Sequence, residues 1–195
     1  MYRSSRYTIA LIFLLVVGVG YAAARLINGA SGVPAEFSAA RLQGALIAQN
    51  IVNLSSQTFQ DLEKINKLDS QGRLREALDA TDQMVVQSQK IREEAVALSG
   101  EIEKMTRSLP QVQPFAARQA ALESITNRLA LISRLINYSA YLNQLSDVLR
   151  ARFSGASGKQ DVSKLIEQIN GEVKAINAFD KEAVAAMERF ESLSK

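Results

Sequence analysis

RLREALDATDQMVVQSQKIREEAVALSGEIEKMTRS, residues 73–108, places Leu74, Leu78, Thr81, Val85, Ser88, Ile91, Ala95, Leu98, Ile102 and Met105 on steps of three and four. That spacing returns to one side of a 3.6-residue helix over about nine turns, and no Gly or Pro interrupts it until Gly100. A strand would alternate with a period of two, so the stretch reads as one long amphipathic helix with a heptad-like, coiled-coil seam. Its boundaries are equally legible. Asp69-Ser70-Gln71-Gly72 supplies a stop before it, and Leu109-Pro110-Gln111-Val112-Gln113-Pro114 ends it, because proline removes backbone donors and restricts the preceding residue.

Working outward, three more stretches of the same kind appear. The first, 35–69, follows Pro34 and carries Ile47, Ile51, Leu54, Leu62, Ile65 and Leu68. The third, 115–153, carries Leu122, Ile125, Leu129, Ile132, Ile136, Leu142, Leu145 and Leu149, with Leu131, Leu135 and Val148 widening the face. After Ser154-Gly155-Ala156-Ser157-Gly158, the fourth runs over about 160–194 through Val162, Leu165, Ile169, Val173, Ile176, Ala183, Met187 and Phe190, with Asp161 complementing its N-terminal dipole. Four long amphipathic segments joined by short connections predict an all-α, antiparallel up-down-up-down four-helix bundle over 35–195. An intermolecular coiled-coil dimer through residues 73–108 is the alternative that this seam allows.

The N-terminus is of another character. YTIALIFLLVVGVGYAAA, residues 7–24, holds no charge and follows Arg3 and Arg6. With Leu26 and Ile27 beyond Arg25, it is long enough to cross a hydrocarbon core of about 30 Å. The expectation is a cytoplasmic n-region at 1–6, a transmembrane signal-anchor at 7–27 and a linker at 28–34. Arg3 and Arg6 against the lone Arg25 put the N-terminus inside and the bundle outside, with Tyr7 and Tyr21 at the two interfaces. Ala22 and Ala24 also fit a signal-peptidase site, so release by cleavage after Ala24 is the competing outcome.

Composition narrows the chemistry. The sequence has no His, Cys or Trp, which excludes an imidazole base, a thiolate nucleophile, disulfides and ordinary zinc or iron-sulfur sites. A di-metal bundle site of the Glu-x-x-His kind is excluded with them. The net charge of +3 lies at the N-terminus: Arg3, Arg6 and Arg25 precede the first acidic residue, Glu36, leaving twenty cations and twenty anions from there on. Interleaved signs without a basic face argue against nucleic acid. Glu93, Glu94, Glu101 and Glu103 lie among Lys90, Arg92, Lys104 and Arg107 at helical spacing, as solvated ion pairs do. No phosphate loop or nucleophile elbow is present. Gly72-Arg73-Leu74-Arg75-Glu76-Ala77-Leu78 resembles the start of the second helix of a tetratricopeptide unit, but no 34-residue recurrence follows.

The functional expectation is therefore a non-enzymatic, cofactor-free, membrane-tethered bundle on the extracytoplasmic side, periplasmic or at the cell surface. It would present a helical surface to a protein partner or an envelope assembly, or self-associate. The alternative is a small-molecule sensor or accessory domain with a polar pocket between helices near Tyr138 and Tyr141, drawing on Asn50, Asn53, Ser88 and Asn137 as donors and acceptors or as register-setting residues.

Overall fold

The computed structural model describes residues 32–155 and 161–195. Four helices account for nearly all of them: α1 Ala35–Ser70, α2 Leu74–Ser108, α3 Phe115–Phe153 and α4 Val162–Leu193. At about 1.5 Å per residue each is roughly 50–60 Å long. No strand occurs among the described residues. Residues 1–31, with the expected span at 7–27 and the orientation residues Arg3, Arg6, Tyr7, Tyr21 and Arg25, lie outside the described residues. Within them, no helix is long and apolar enough to cross a membrane.

Local chemistry explains the ends. Pro34 and Pro114 stand as N-caps of α1 and α3, in extended conformation with φ −61° and −72°. The Asp161 carboxylate accepts from the Ser163 backbone N–H at 2.9 Å and caps α4. At the end of α1, Gly72 adopts φ +71°, the Gly72 N–H reaches Asp69 O, and the Arg73 N–H reaches Leu68 O at 3.0 Å. A left-handed residue is what returns those last carbonyls to a partner. Leu109–Gln111 forms a 3-10 turn after α2, and the buried Val112 closes the connection to α3.

Neighbouring helices are antiparallel. Gln87 donates to Asp61 between α2 and α1, Arg150 to Asp82 between α3 and α2, and Arg189 pairs with Glu123 between α4 and α3. α2 therefore buries its seam within the chain, against α1 and α3. The N-terminus of α1, the α2–α3 connection and the C-terminus of α4 share one end, here the near end. The turn at Gly72 and the α3–α4 connection share the other, the far end.

The core is continuous from Phe37 to Phe153 along the rod. Its membership corrects two seams. On α2 the first turns bury Ala77, Thr81 and Met84, while Leu74 is exposed and Leu78 and Val85 are only half-buried. On α3 the buried side is Ala117, Ala120, Ala121, Ser124, Ile125, Leu131, Ile132, Leu135, Tyr138 and Leu142, whereas Leu122 and Leu129 face outward, each 49% exposed. The reason is steric: small residues let backbones approach. Ser124 Oγ donates to the Ala183 carbonyl of α4 at 2.9 Å, a contact that requires α3 and α4 to lie close, with Ala120, Ala121, Ala183 and Ala186 buried alongside. The remaining seam, α1 against α4, has few close backbone approaches and is bridged by side chains.

Candidate functional site

Helix α3 sends Tyr138 into the centre of the rod, almost wholly buried. Burial pushes its phenol well above the ordinary tyrosine range, and the Ser55 side chain of α1, its hydrogen-bond partner, partly opposes that. Tyr138 and Ser55 line a cavity of about 50 Å³ with Ile51, Leu98, Leu135, Ile176 and Asp180. It lies along the wide α1–α4 seam, where the helices are held apart. Asp180 and the Arg128 guanidinium interact electrostatically there. Burial raises the Asp180 carboxyl above its usual range against the pull of Arg128, and burial lowers Arg128 against the pull of Asp180. Arg128 Nε is one of three buried polar side-chain atoms among the described residues without a hydrogen-bond partner, with Gln87 Oε1 and Glu172 Oε2.

The other polar candidates do not converge on this cavity. Asn50 and Asn53 line an open groove of about 580 Å³ on the outside of the α1–α2 pair, with Lys90, Glu93 and Glu94. There the Asn50 amide lies 3.4 Å from Glu94 Oε1. Ser88 meets Asn143 of α3 and the Val85 carbonyl. Asn137 is exposed and lies 3.5 Å from Glu172 Oε1, and Tyr141 is half-buried beside the core. Simple heptad register puts several of these residues at similar heights along the rod but cannot give the rotation of each helix about its axis, and that rotation separates them.

Most buried hydroxyls serve their own helices. Thr58, Thr81 and Ser146 donate to the carbonyl four residues back at 2.8–2.9 Å, and Ser139 to the one three back. Self-satisfied in this way, they fill space like Ala or Val and leave no free donors for a ligand. Among the described residues no group of three or more Asp, Glu, His or Cys could hold a metal ion.

The surface carries a feature that periodicity alone concealed. Phe115, Leu122 and Leu129 follow one another at seven-residue intervals on the outer side of α3, at 59%, 49% and 49% exposure. Ile136, half-buried, continues the line. Seven residues are nearly two turns, so the line runs about 21 Å up the helix with little drift. Leu42 and Leu46 on α1, Val96 on α2 and Leu193 on α4 are also exposed and belong to the same half of the rod. Among the described residues of the far half only Leu74 and Val86 are comparable.

No family model matches the chain, and neither the curated proteins nor the solved structures contain a match to it.

Proposed function

We propose that this chain is a non-enzymatic, membrane-tethered bundle that offers the outer face of α3 to a protein partner on the extracytoplasmic side of the membrane. Residues 7–27 serve as a single span with Arg3 and Arg6 on the cytoplasmic side, and 35–195 form the displayed bundle. The observation that carries the interaction role is the outer line on α3 through Leu122 and Leu129, each 49% exposed. Large apolar side chains at heptad spacing on an outer face cost solubility and stabilise nothing inside the bundle, and such stripes are what a partner helix or groove covers. The alternative, a small-molecule accessory domain, finds Tyr138 on a cavity wall. That cavity is several times smaller than the roughly 300 Å³ from which ligand pockets begin, and Tyr141, Asn50 and Asn53 do not line it.

The test is photo-crosslinking of the full chain in its native membrane, with the reactive residue placed at Leu122 or Leu129 and, as control, at Val86. A discrete adduct from α3 that is absent from Val86, on a chain whose N-terminus is Met1, is the expected result. Absence of any α3 adduct overturns the interaction face, and a chain starting at Arg25 overturns the tether.

A further inference from the structure

The near end of the rod carries two large apolar side chains that no neighbour covers. Phe115 opens α3 at 59% exposure, and Leu193 closes α4 at 43%. They sit at one level: the Ser124 hydroxyl reaches the Ala183 carbonyl, nine residues in from Phe115 and ten in from Leu193, so the antiparallel register brings residue 115 opposite the last turn of α4. The Arg118 guanidinium lies 5.1 Å from the centre of the Phe115 ring and also donates to the Pro110 carbonyl, leaving the ring bounded by a cation on its inner side.

The chain leaves the bundle at this same end, and it is fixed there. The Gln113 N–H donates to the Gly32 carbonyl at 3.0 Å. Gly32 has φ +107°, and a Cβ on it would stand 3.2 Å from the Gln113 carbonyl oxygen. Residue 32 is thus pinned beside the α2–α3 connection, two residues from the start of α3. If residue 27 marks the end of the span, five residue steps separate the hydrocarbon edge from this pin. An extended chain covers about 17 Å in that distance at most, and the headgroup layer takes up roughly 5–8 Å of it. The tether is too short to lift the near end far from the lipid.

We infer that the near end docks on the bilayer surface, with Phe115 and Leu193 inserted at the level of the lipid headgroups. The inference rests on the span reading of residues 7–27. The same short tether that brings the end to the membrane makes insertion local, so two side chains suffice where a free protein would need a larger surface. Arg107 is paired with Glu103, and Glu36 offsets part of the charge of Arg118 and Lys195, so the apolar side chains carry the docking and neutral lipid suffices. Arg118 beside the ring reaches back toward water and phosphates while the ring enters the interface.

The chain contains no Trp, so a single introduced Trp reports alone. Phe115→Trp, Leu193→Trp and the far-end control Leu74→Trp are made in the full chain and reconstituted in phosphatidylcholine vesicles, with and without bromine-labelled acyl chains. All three positions are exposed, and circular dichroism checks that the helices persist. The expected result is emission that moves to the blue on reconstitution and is quenched by bromolipid for Phe115→Trp and Leu193→Trp, unchanged by added salt, with Leu74→Trp unaffected. Water-like, unquenched emission at 115 and 193 in protein that floats with the vesicles overturns the docking and leaves the tether standing. Protein that fails to float with the vesicles overturns both. Blue emission at 115 in lipid-free detergent solution, unmoved by reconstitution, assigns the surface to a protein contact and overturns the lipid assignment.

Discussion

The near and far halves of the rod are built from the same four helices, yet they treat apolar residues differently. In the far half, α1 ends at Gly72 and α3 at Gly155, both left-handed, and ion pairs such as Arg152 with Asp69 and Arg150 with Asp82 lie across the outer surface. In the near half, Phe37 and Phe190 stack with ring centres 5.3 Å apart between α1 and α4, and Arg41 reaches over Phe190 to Glu191. Around that plug the surface keeps Leu42, Leu46, Val96, Phe115, Leu122, Leu129 and Leu193 exposed. Ion pairs occur in both halves, so charge does not distinguish them; uncovered apolar area does. The contacts proposed for the near half would use that asymmetry.

The largest break in the comparison is expected from Phe37→Ala. Phe37 is wholly buried, and its removal takes away the pair with Phe190 at a seam whose backbones do not close on their own. A loss of about 3–5 kcal/mol in denaturant unfolding is expected. A much smaller loss would mean that α1 and α4 can collapse onto each other at the near end.

Glycine substitutions compare the two ends directly. Gly72→Ala meets no atom within 4 Å, so its cost is that of the left-handed backbone, about 1–2 kcal/mol. Gly32→Ala faces both an unfavourable φ and the Gln113 carbonyl, and it should free residue 32 from the α2–α3 connection. Faster hydrogen exchange at the Gln113 amide would report that release. If that amide stays protected, the pin does not depend on glycine.

The pH dependence sharpens the picture at the cavity between the halves. Because burial raises the Asp180 carboxyl above its ordinary 3.8, the folded chain holds that proton over a wider range than the unfolded chain does. Its contribution to stability is present below the ordinary value and is lost as pH rises through the raised one. Asp180→Asn removes this component, so the variant should gain on the parent as pH increases through that window. The comparison is made by midpoints of urea unfolding, and a constant difference at every pH would place Asp180 in water.

The smallest effect belongs to the far surface. Asp69→Ala removes an ion pair whose Arg152 side chain is 57% exposed, and the expected cost is roughly 0.2–1 kcal/mol, shrinking with added salt. A salt-insensitive loss would show instead that the Asp69 side chain acts through something other than its charge, since the carbonyl that accepts the Gly72 N–H belongs to the main chain and stays in the variant.

Much of this architecture was written along the chain. The breaks at Gly72, Pro110–Pro114 and Gly155 and the three-four spacing were enough for four long helices, because helix period and backbone-restricting residues are local properties. The absence of His and Cys removed whole classes of chemistry before any fold was known. The polar candidates were less legible. Tyr138 lines the central cavity, Asn50 and Asn53 sit in an outer groove, and Asp180 and Arg128 carried no signal that set them apart from the other charges.

What only the tertiary structure decided is which side of α3 is inside. Apolar residues surround that helix, so period alone offers several acceptable faces, and the larger Leu122 and Leu129 look like the better core. The neighbour chose otherwise. Ala120, Ala121 and Ser124 allow α4 to approach closely enough for the Ser124 hydroxyl to reach the Ala183 carbonyl, and that close contact rotates the bulky leucines out to the surface. Sequence specifies the stripes a helix can bury; the distance at which its partner can pack specifies the one it does bury, and leaves the other on the surface.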